Sequence, residues 1–83
     1  MTRDEIAELN PDAIIWDNPN YDEAIVGMAE RCNFGPVVAY STDKIIELLM
    51  ERDGMTDEEA WEYFYFNVNG AYVGENTPIH IFT

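Results

Sequence analysis

Basic side chains are scarce in this sequence of 83 residues. It has four Lys and Arg residues against 17 Asp and Glu, which gives a formal net charge of −13. The basic residues are scattered along the chain: Arg3, Arg31, Lys44 and Arg52. They are too few and too far apart in sequence to neutralise the phosphates of a nucleic acid or to hold an anionic membrane surface. The composition therefore argues against direct binding of nucleic acid or membrane.

Cysteine, histidine and long apolar runs are also in short supply. The single cysteine, Cys32, has no internal disulfide partner, and one histidine, His80, cannot anchor a His/Cys zinc site. No apolar run is long enough for a membrane span, and the N-terminal residues lack the apolar region of a signal peptide. We therefore expect a cytoplasmic protein in which Cys32 is a small buried hydrophobe rather than a reactive thiol.

Hydrophobic residues, in contrast, are as frequent as in ordinary globular proteins. They make up 47% of the sequence, and aromatic residues make up 13%. A high net charge indicates disorder only when hydrophobicity is low, which is not the case here. The length suits one modest core, so residues 1–83 are predicted to form a single domain.

The first half of the chain predicts a short helix followed by three strands. Thr2 and Glu5 have capping-box spacing, which indicates a helix over residues 3–9. The β-rich run at residues 13–16 predicts the first strand. Residues 24–31 suit either a helix face or a strand, and Gly27 in their middle favours the strand. A third strand at residues 37–40 completes a predicted antiparallel meander.

The second half predicts two helices and a last strand. Ser41 or Thr42 caps a helix over residues 43–52, which ends at Asp53-Gly54. A capping box of Thr56 and Glu59 begins a helix that the apolar pattern extends to Val73. Residues 79–82 form the final strand, on which His80 should point outward. The predicted fold is α+β: an antiparallel sheet of about four short strands with helices packed on one face, and a short N-terminal helix.

The last helix is apolar on two sides. Its main stripe is made of Ala60, Trp61, Phe64, Tyr65, Val68, Ala71 and Tyr72, and its back carries Tyr63, Phe66, Gly70 and Val73. A helix of this kind is either buried between elements or holds a partner. We expect the main stripe, including Trp61, to lie in the core and the back to pack on the N-terminal helix or the chain termini. A contact with a second copy or another partner is the alternative.

Neither a metal site nor a catalytic set is predicted. Asn18, Asn20 and Asp22 have the alternate spacing of a calcium loop, but Glu23 and Ala29 occupy the positions that need Gly and Glu. A polar loop that satisfies its own backbone is the better interpretation. The chain's single Cys and His supply no nucleophile, base and orienting group. We therefore expect no metal, no cofactor and no enzyme activity.

The acidic residues are the remaining signal. The candidates for a functional surface lie on the two long helices and are Glu47, Glu51, Asp57, Glu58, Glu59 and Glu62. Acidic residues at a helix start offset the macrodipole, but the like charges of Glu47 and Glu51 at i, i+4 are destabilising. One hypothesis is a surface that imitates a polyanion and occupies a basic site on a nucleic-acid-handling protein, with the partner-binding set completed by Tyr63 and Phe66. The alternative is a structural or oligomerisation module, in which Tyr63, Phe66 and Val73 form the contact and the charge serves only solubility.

A third interpretation is a small-molecule or nucleotide binder at Asn67, Asn69, Tyr72 and Asn76. It is the weakest of the three, because few cations are available to hold a phosphate.

Several short motifs give the chain a resemblance to a known group. They are Asp53-Gly54-Met55-Thr56-x-Glu58-Glu59-Ala60, Phe66-Asn67, Gly70-Ala71-x-x-Gly74-x-x-Thr77-Pro78, Ala24-Ile25-Val26-Gly27, Glu30-Arg31, and Tyr40 ahead of the helix with Lys44. Over roughly residues 13–82 the chain resembles a family of small acidic proteins encoded by bacteriophages and other prokaryotic viruses. The resemblance implies a viral setting in the cytoplasm of a host cell and an inhibitor of host defence or transcription. It implies no catalytic or binding residue.

Overall fold

The chain forms three α-helices and a three-stranded mixed sheet in the residues that the computed structural model describes, which are 1–17, 20–30 and 35–83. The elements in chain order are α1 (Arg3–Leu9), a 3₁₀ turn (Asp22–Ala24), β1 (Ile25–Ala29), β2 (Val37–Ser41), α2 (Thr42–Asp53), α3 (Asp57–Tyr63), a π-helical segment (Phe64–Asn69) and β3 (Ile79–Ile81). The prediction of an α+β fold with a short N-terminal helix is confirmed. No helix in these described ranges is long and apolar enough to cross a membrane.

The helices begin where the capping residues predicted. The Thr2 hydroxyl accepts the Glu5 N–H at 3.2 Å, while the Glu5 carboxylate accepts the Thr2 N–H at 2.8 Å. Thr56 and Glu59 repeat this reciprocal pair at the start of α3. At α2 the cap is Ser41, whose hydroxyl accepts the Lys44 N–H at 3.2 Å. These contacts satisfy backbone donors that have no partner within the helix.

The sheet differs from the prediction in strand number and in direction. Its order is β1-β2-β3, with β1 antiparallel and β3 parallel to the central β2. The predicted antiparallel sheet of about four strands is therefore wrong on both points. After β2 the chain passes through α2 and α3 before it returns as β3, and a long helical crossover of this kind can bring the strand back in the same direction.

The segment at residues 13–16 is not a strand, although its composition predicted one. The Ile14 N–H donates to the Asn76 carbonyl at 3.2 Å, and the Trp16 N–H donates to the Tyr40 hydroxyl at 2.8 Å. Because these donors are satisfied by a loop and a side chain, the segment does not need a ladder of strand hydrogen bonds.

The core lies between the sheet and the helices. All five residues of β2 are buried, and Val38 and Tyr40 belong to one cluster with apolar side chains of α1, α2, α3 and the π-helical segment. The members contributed by the helical elements are Ile6, Ile45, Ile46, Leu48, Leu49, Ala60, Phe64 and Val68. The face of α2 that carries Ile45, Leu48 and Leu49 is thus buried, whereas Arg52, which shares that face by helical spacing, is exposed.

The third helix ends earlier than predicted. Helical structure stops at Asn69, and its last turns are π-helical. At Gly70 an added Cβ would lie 3.1 Å from the Tyr65 carbonyl oxygen, so the chain closes the helix at a residue without a side chain. Tyr72 and Val73 consequently lie in the following loop, with 78% and 56% of their surface exposed.

The back of this helix is not buried as a whole. Tyr63 packs against the core cluster, whereas Phe66 is 81% exposed. The prediction that the back packs on the N-terminal helix or the termini is therefore wrong for Phe66 and Val73. The π-helical turns place Phe64 and Val68 on the core and leave Phe66 facing away from it.

Candidate functional site

The six carboxylates named as candidates lie on two helices that pack against each other. α2 carries Glu47 and Glu51, and α3 carries the other four in its first two turns. All six are exposed. The fold therefore gathers them on two neighbouring helices.

The basic side chains of the described residues are paired within the chain. The Arg3 guanidinium contacts the Asp22 carboxylate at 2.9 Å and the Asp17 carboxylate at 2.8 Å. The hydrogen bond to Asp22, followed by the one to Asp17, raises the pKa of Arg3. Arg52 lies 3.5 Å from Glu23. Lys44 lies 3.5 Å from the Glu47 carboxylate, which makes Glu47 the one candidate carboxylate with an ion pair in the described ranges.

The other five candidate carboxylates have no ion pair to a described residue, and one of them has a structural role. The Glu59 carboxylate accepts the Thr56 N–H at 2.9 Å, and this backbone hydrogen bond lowers the pKa of Glu59. Glu51, Asp57, Glu58 and Glu62 carry negative charge that no described cation pairs with. These four residues are called the uncompensated carboxylates below.

A groove of about 380 Å³ runs along α3 and the start of the π-helical segment. It is lined by Met55, Glu59, Glu62, Tyr63, Phe66 and Asn67, and is called the α3 groove below. Four of the eight predicted partner-binding residues thus line one surface, while Glu47, Glu51, Asp57 and Glu58 lie outside it. Apolar walls beside carboxylates suit a side chain with an apolar stem and a cationic end, which is the chemistry of Arg and Lys.

His80 lies inside an aromatic cluster rather than pointing outward. Its Nε2 accepts the Trp16 Nε1–H at 2.9 Å, and the two rings lie nearly parallel, with planes 5° apart and centroids 6.1 Å apart. The Phe64 ring meets it edge-on at 5.1 Å, and the Tyr40 ring lies 6.0 Å away. Burial lowers the pKa of His80.

The outward prediction for His80 is wrong because β3 pairs parallel with β2. That register places His80 opposite Tyr40, on the face that carries the core. The alternation of residues 79–81 could not show which face is covered, since the isoleucines on either side are as apolar as a core requires. The pairing of His80 with Tyr40 places the histidine on the same face of the sheet as the buried tyrosine.

A second cavity, of about 390 Å³, lies between the sheet and the loop after the π-helical segment. Val37 and Ile79 contribute apolar lining, and Asn69 and Tyr72 contribute from the helix end and the loop. Asn67 and Asn76, the other members of the proposed nucleotide site, do not line it.

Both of those amides have partners within the fold. The Asn67 amide donates to the Tyr63 carbonyl at 3.3 Å, and the Asn76 side-chain oxygen accepts from Asn10 at 3.0 Å. The structure therefore does not bring the four residues of the nucleotide hypothesis together.

The described residues contain no group of three or more His, Cys, Asp and Glu that could hold a metal ion. In the loop that resembled a calcium site, the Asn20 side chain accepts the Asp22 N–H at 2.8 Å and so satisfies the backbone. Asn18, the first residue of that loop, and Cys32, predicted to be a small buried hydrophobe, lie outside the described residues.

No family model, no curated protein and no solved structure matches this chain.

Proposed function

We propose that this is a small acidic interaction protein of viral type, an inhibitor or adaptor without catalytic activity or cofactor. It presents the negative surface of α2 and α3 to a basic site on a nucleic-acid-handling protein of host or virus, in the host cytoplasm. The observation that carries the proposal is the set of uncompensated carboxylates, which are exposed on α2 and α3, while the described basic residues pair with other carboxylates: Arg3 with Asp17, Lys44 with Glu47 and Arg52 with Glu23.

The charge distribution is unfavourable for an isolated fold. Like charges on neighbouring turns destabilise a helix, and a net charge of −13 opposes the compact state. A basic partner reverses the sign of this effect, because its charges attract the whole surface and speed association. The α3 groove adds apolar contact surface from Tyr63 and Phe66 beside the carboxylates.

The resemblance to small acidic phage proteins supports the viral setting. It also supports a partner in host defence or transcription, since an inhibitor of such machinery gains from occupying the groove where nucleic acid binds.

Neutralising Glu58 and Glu62 tests the proposal. Glu58→Gln with Glu62→Gln should remove most of the partner captured from a bacterial lysate at low salt, and competing DNA should release the partner from the unaltered protein. Glu59 is left unchanged because its carboxylate caps α3.

The matched control is Asp4→Asn with Glu8→Gln, which removes the same charge from the exposed surface of α1. Equal loss of the partner in both double variants would mean that net charge, and not this surface, is recognised. Retention in both would contradict the proposal.

A structural or oligomerisation module is the second candidate, and the 81% exposure of Phe66 favours it. Sedimentation at rising protein concentration tests it: a dimer that Phe66→Ser converts to monomer would support the module, and a monomer throughout would exclude self-association.

A further inference from the structure

Three aromatic rings form a second surface, which shares no residue with the lining of the α3 groove. Trp61 stacks on Tyr65 with centroids 5.9 Å apart and planes 26° apart, and on Phe82 with centroids 6.4 Å apart and planes 25° apart. Trp61 and Tyr65 come from α3 and the π-helical segment, whereas Phe82 follows β3. This set, called the aromatic ladder, exists only because the fold brings the chain's end to α3.

The ladder lies at the border of the core and is open to solvent. Phe82 is 72% exposed and Tyr65 is 48% exposed, while Trp61 is partly buried and also meets the buried Phe64 edge-on at 6.2 Å. The prediction that the main stripe lies in the core is therefore wrong for Tyr65 and holds only in part for Trp61, which packs against the core cluster but is only partly buried. Exposed aromatic rings gain little from folding, yet they bind partners well.

Two of the uncompensated carboxylates are close in sequence to the ladder rings. Glu58 and Trp61 are three residues apart in α3, a spacing that makes side chains neighbours on a helix surface, and Glu62 directly follows Trp61 and precedes Tyr65 by three residues. An aromatic face attracts a cation through its quadrupole, and a neighbouring carboxylate attracts the same cation by charge. A nucleic acid is disfavoured here, because its phosphates would meet these carboxylates.

We propose that the aromatic ladder binds arginine side chains of the basic partner, by stacking of guanidinium groups on its rings with Glu58 and Glu62 as ionic partners. This inference rests on the proposed function and adds the residue type that is recognised. Arginine fits better than lysine, because its planar guanidinium stacks on aromatic faces and pairs with a carboxylate through two hydrogen bonds.

Labelled deca-arginine and deca-lysine peptides are the probes, because they carry equal charge and differ in the group that meets the rings. Fluorescence anisotropy at about 0.05 M NaCl, where charge still acts over more than 10 Å, gives both dissociation constants. The unaltered protein should bind deca-arginine about tenfold more tightly than deca-lysine. Tyr65→Leu with Phe82→Leu removes two of the three rings and should strongly reduce that preference, while deca-lysine binding stays nearly unchanged.

Tyr72→Leu is the matched control, since Tyr72 is 78% exposed and lies outside the ladder. It should keep the preference for arginine. Melting temperatures of all variants check the fold, and the substituted rings are exposed enough for it to persist.

The outcomes separate this inference from the proposed function. An arginine preference that is undiminished in the ladder variant, or that is absent from the unaltered protein, overturns the ladder as an arginine site. If in that case Glu58→Gln with Glu62→Gln still weakens both peptides, the acidic surface remains the docking surface. If those substitutions weaken neither peptide, the proposed function fails as well.

Discussion

The hydrogen bond between Trp16 and His80 depends on the protonation state of the histidine. The His80 Nε2 accepts the Trp16 Nε1–H, so this nitrogen must carry no proton while the hydrogen bond is intact. The ring is packed among Trp16, Tyr40 and Phe64, and burial lowers the pKa of His80. The neutral imidazole is thus part of the folded structure.

Acid should therefore destabilise the protein through His80. Below about pH 6.5 the unfolded chain binds a proton at this residue, while the folded protein does so only at a lower pH. The stability that His80 contributes is complete above this value and is lost as the pH falls through the lowered pKa. Melting temperatures should fall over this window, and His80→Gln, which still offers an oxygen to Trp16, should show a flatter dependence. Parallel curves for the two proteins would contradict the assignment.

The end of α2 depends on a left-handed residue. Gly54 has φ +67°, and an added Cβ would meet no atom within 4 Å, so the penalty for a side chain is conformational rather than steric. Gly54→Ala should lower the free energy of unfolding by about 1 kcal/mol. Gly54→Asn should cost less, because Asn tolerates this region. Urea unfolding measures both, and equal stability of the Ala variant and the unaltered protein would refute the role of Gly54.

The π-helical segment buries one phenylalanine and exposes another that is two residues away. Phe64 is 1% exposed and packs edge-on against His80, whereas Phe66 is 81% exposed. Phe64→Ala should cost about 3–5 kcal/mol, which is most of the stability of a small domain. Phe66→Ala should change stability by less than about 0.5 kcal/mol. Chemical denaturation of both variants tests the register of the segment, and a large loss at Phe66 would show that its ring is covered.

The whole molecule carries its charge within a small volume. Its principal extents are 38, 22 and 22 Å, while the Debye length falls from about 30 Å at 0.01 M salt to about 8 Å at 0.15 M. At low salt, repulsion among the 17 acidic side chains therefore acts across the molecule.

Salt should stabilise the isolated protein and weaken its complex. Screening relieves the internal repulsion, so the melting temperature should rise with NaCl. The same screening removes attraction to a basic partner, so association should slow. Thermal melts and binding kinetics at three salt concentrations measure both trends. If the affinity of the complex does not change with salt, the charge serves only solubility and the interface is apolar.

The sequence alone determined the local structure and the charge. The caps at Thr2, Ser41 and Thr56 and the left-handed end at Gly54 were predictable, because each depends on residues within a few positions of one another. The apolar face of α2 was predictable from its period. The excess of acidic residues, which supports the proposed function, is a property of composition.

Tertiary structure decided everything that depends on contacts between distant residues. The parallel return of β3 brought His80 opposite Tyr40 and Phe82 against Trp61, and no local pattern encodes strand direction after a helical crossover. The composition of the segment ending at Trp16 predicts a strand, but its backbone N–H groups donate to the Tyr40 hydroxyl and the Asn76 carbonyl instead of to a neighbouring strand. The local sequence pattern determines most of the helices and strands. Tertiary packing determines which of their faces stay exposed to a partner, because burial depends on residues that are far apart in sequence.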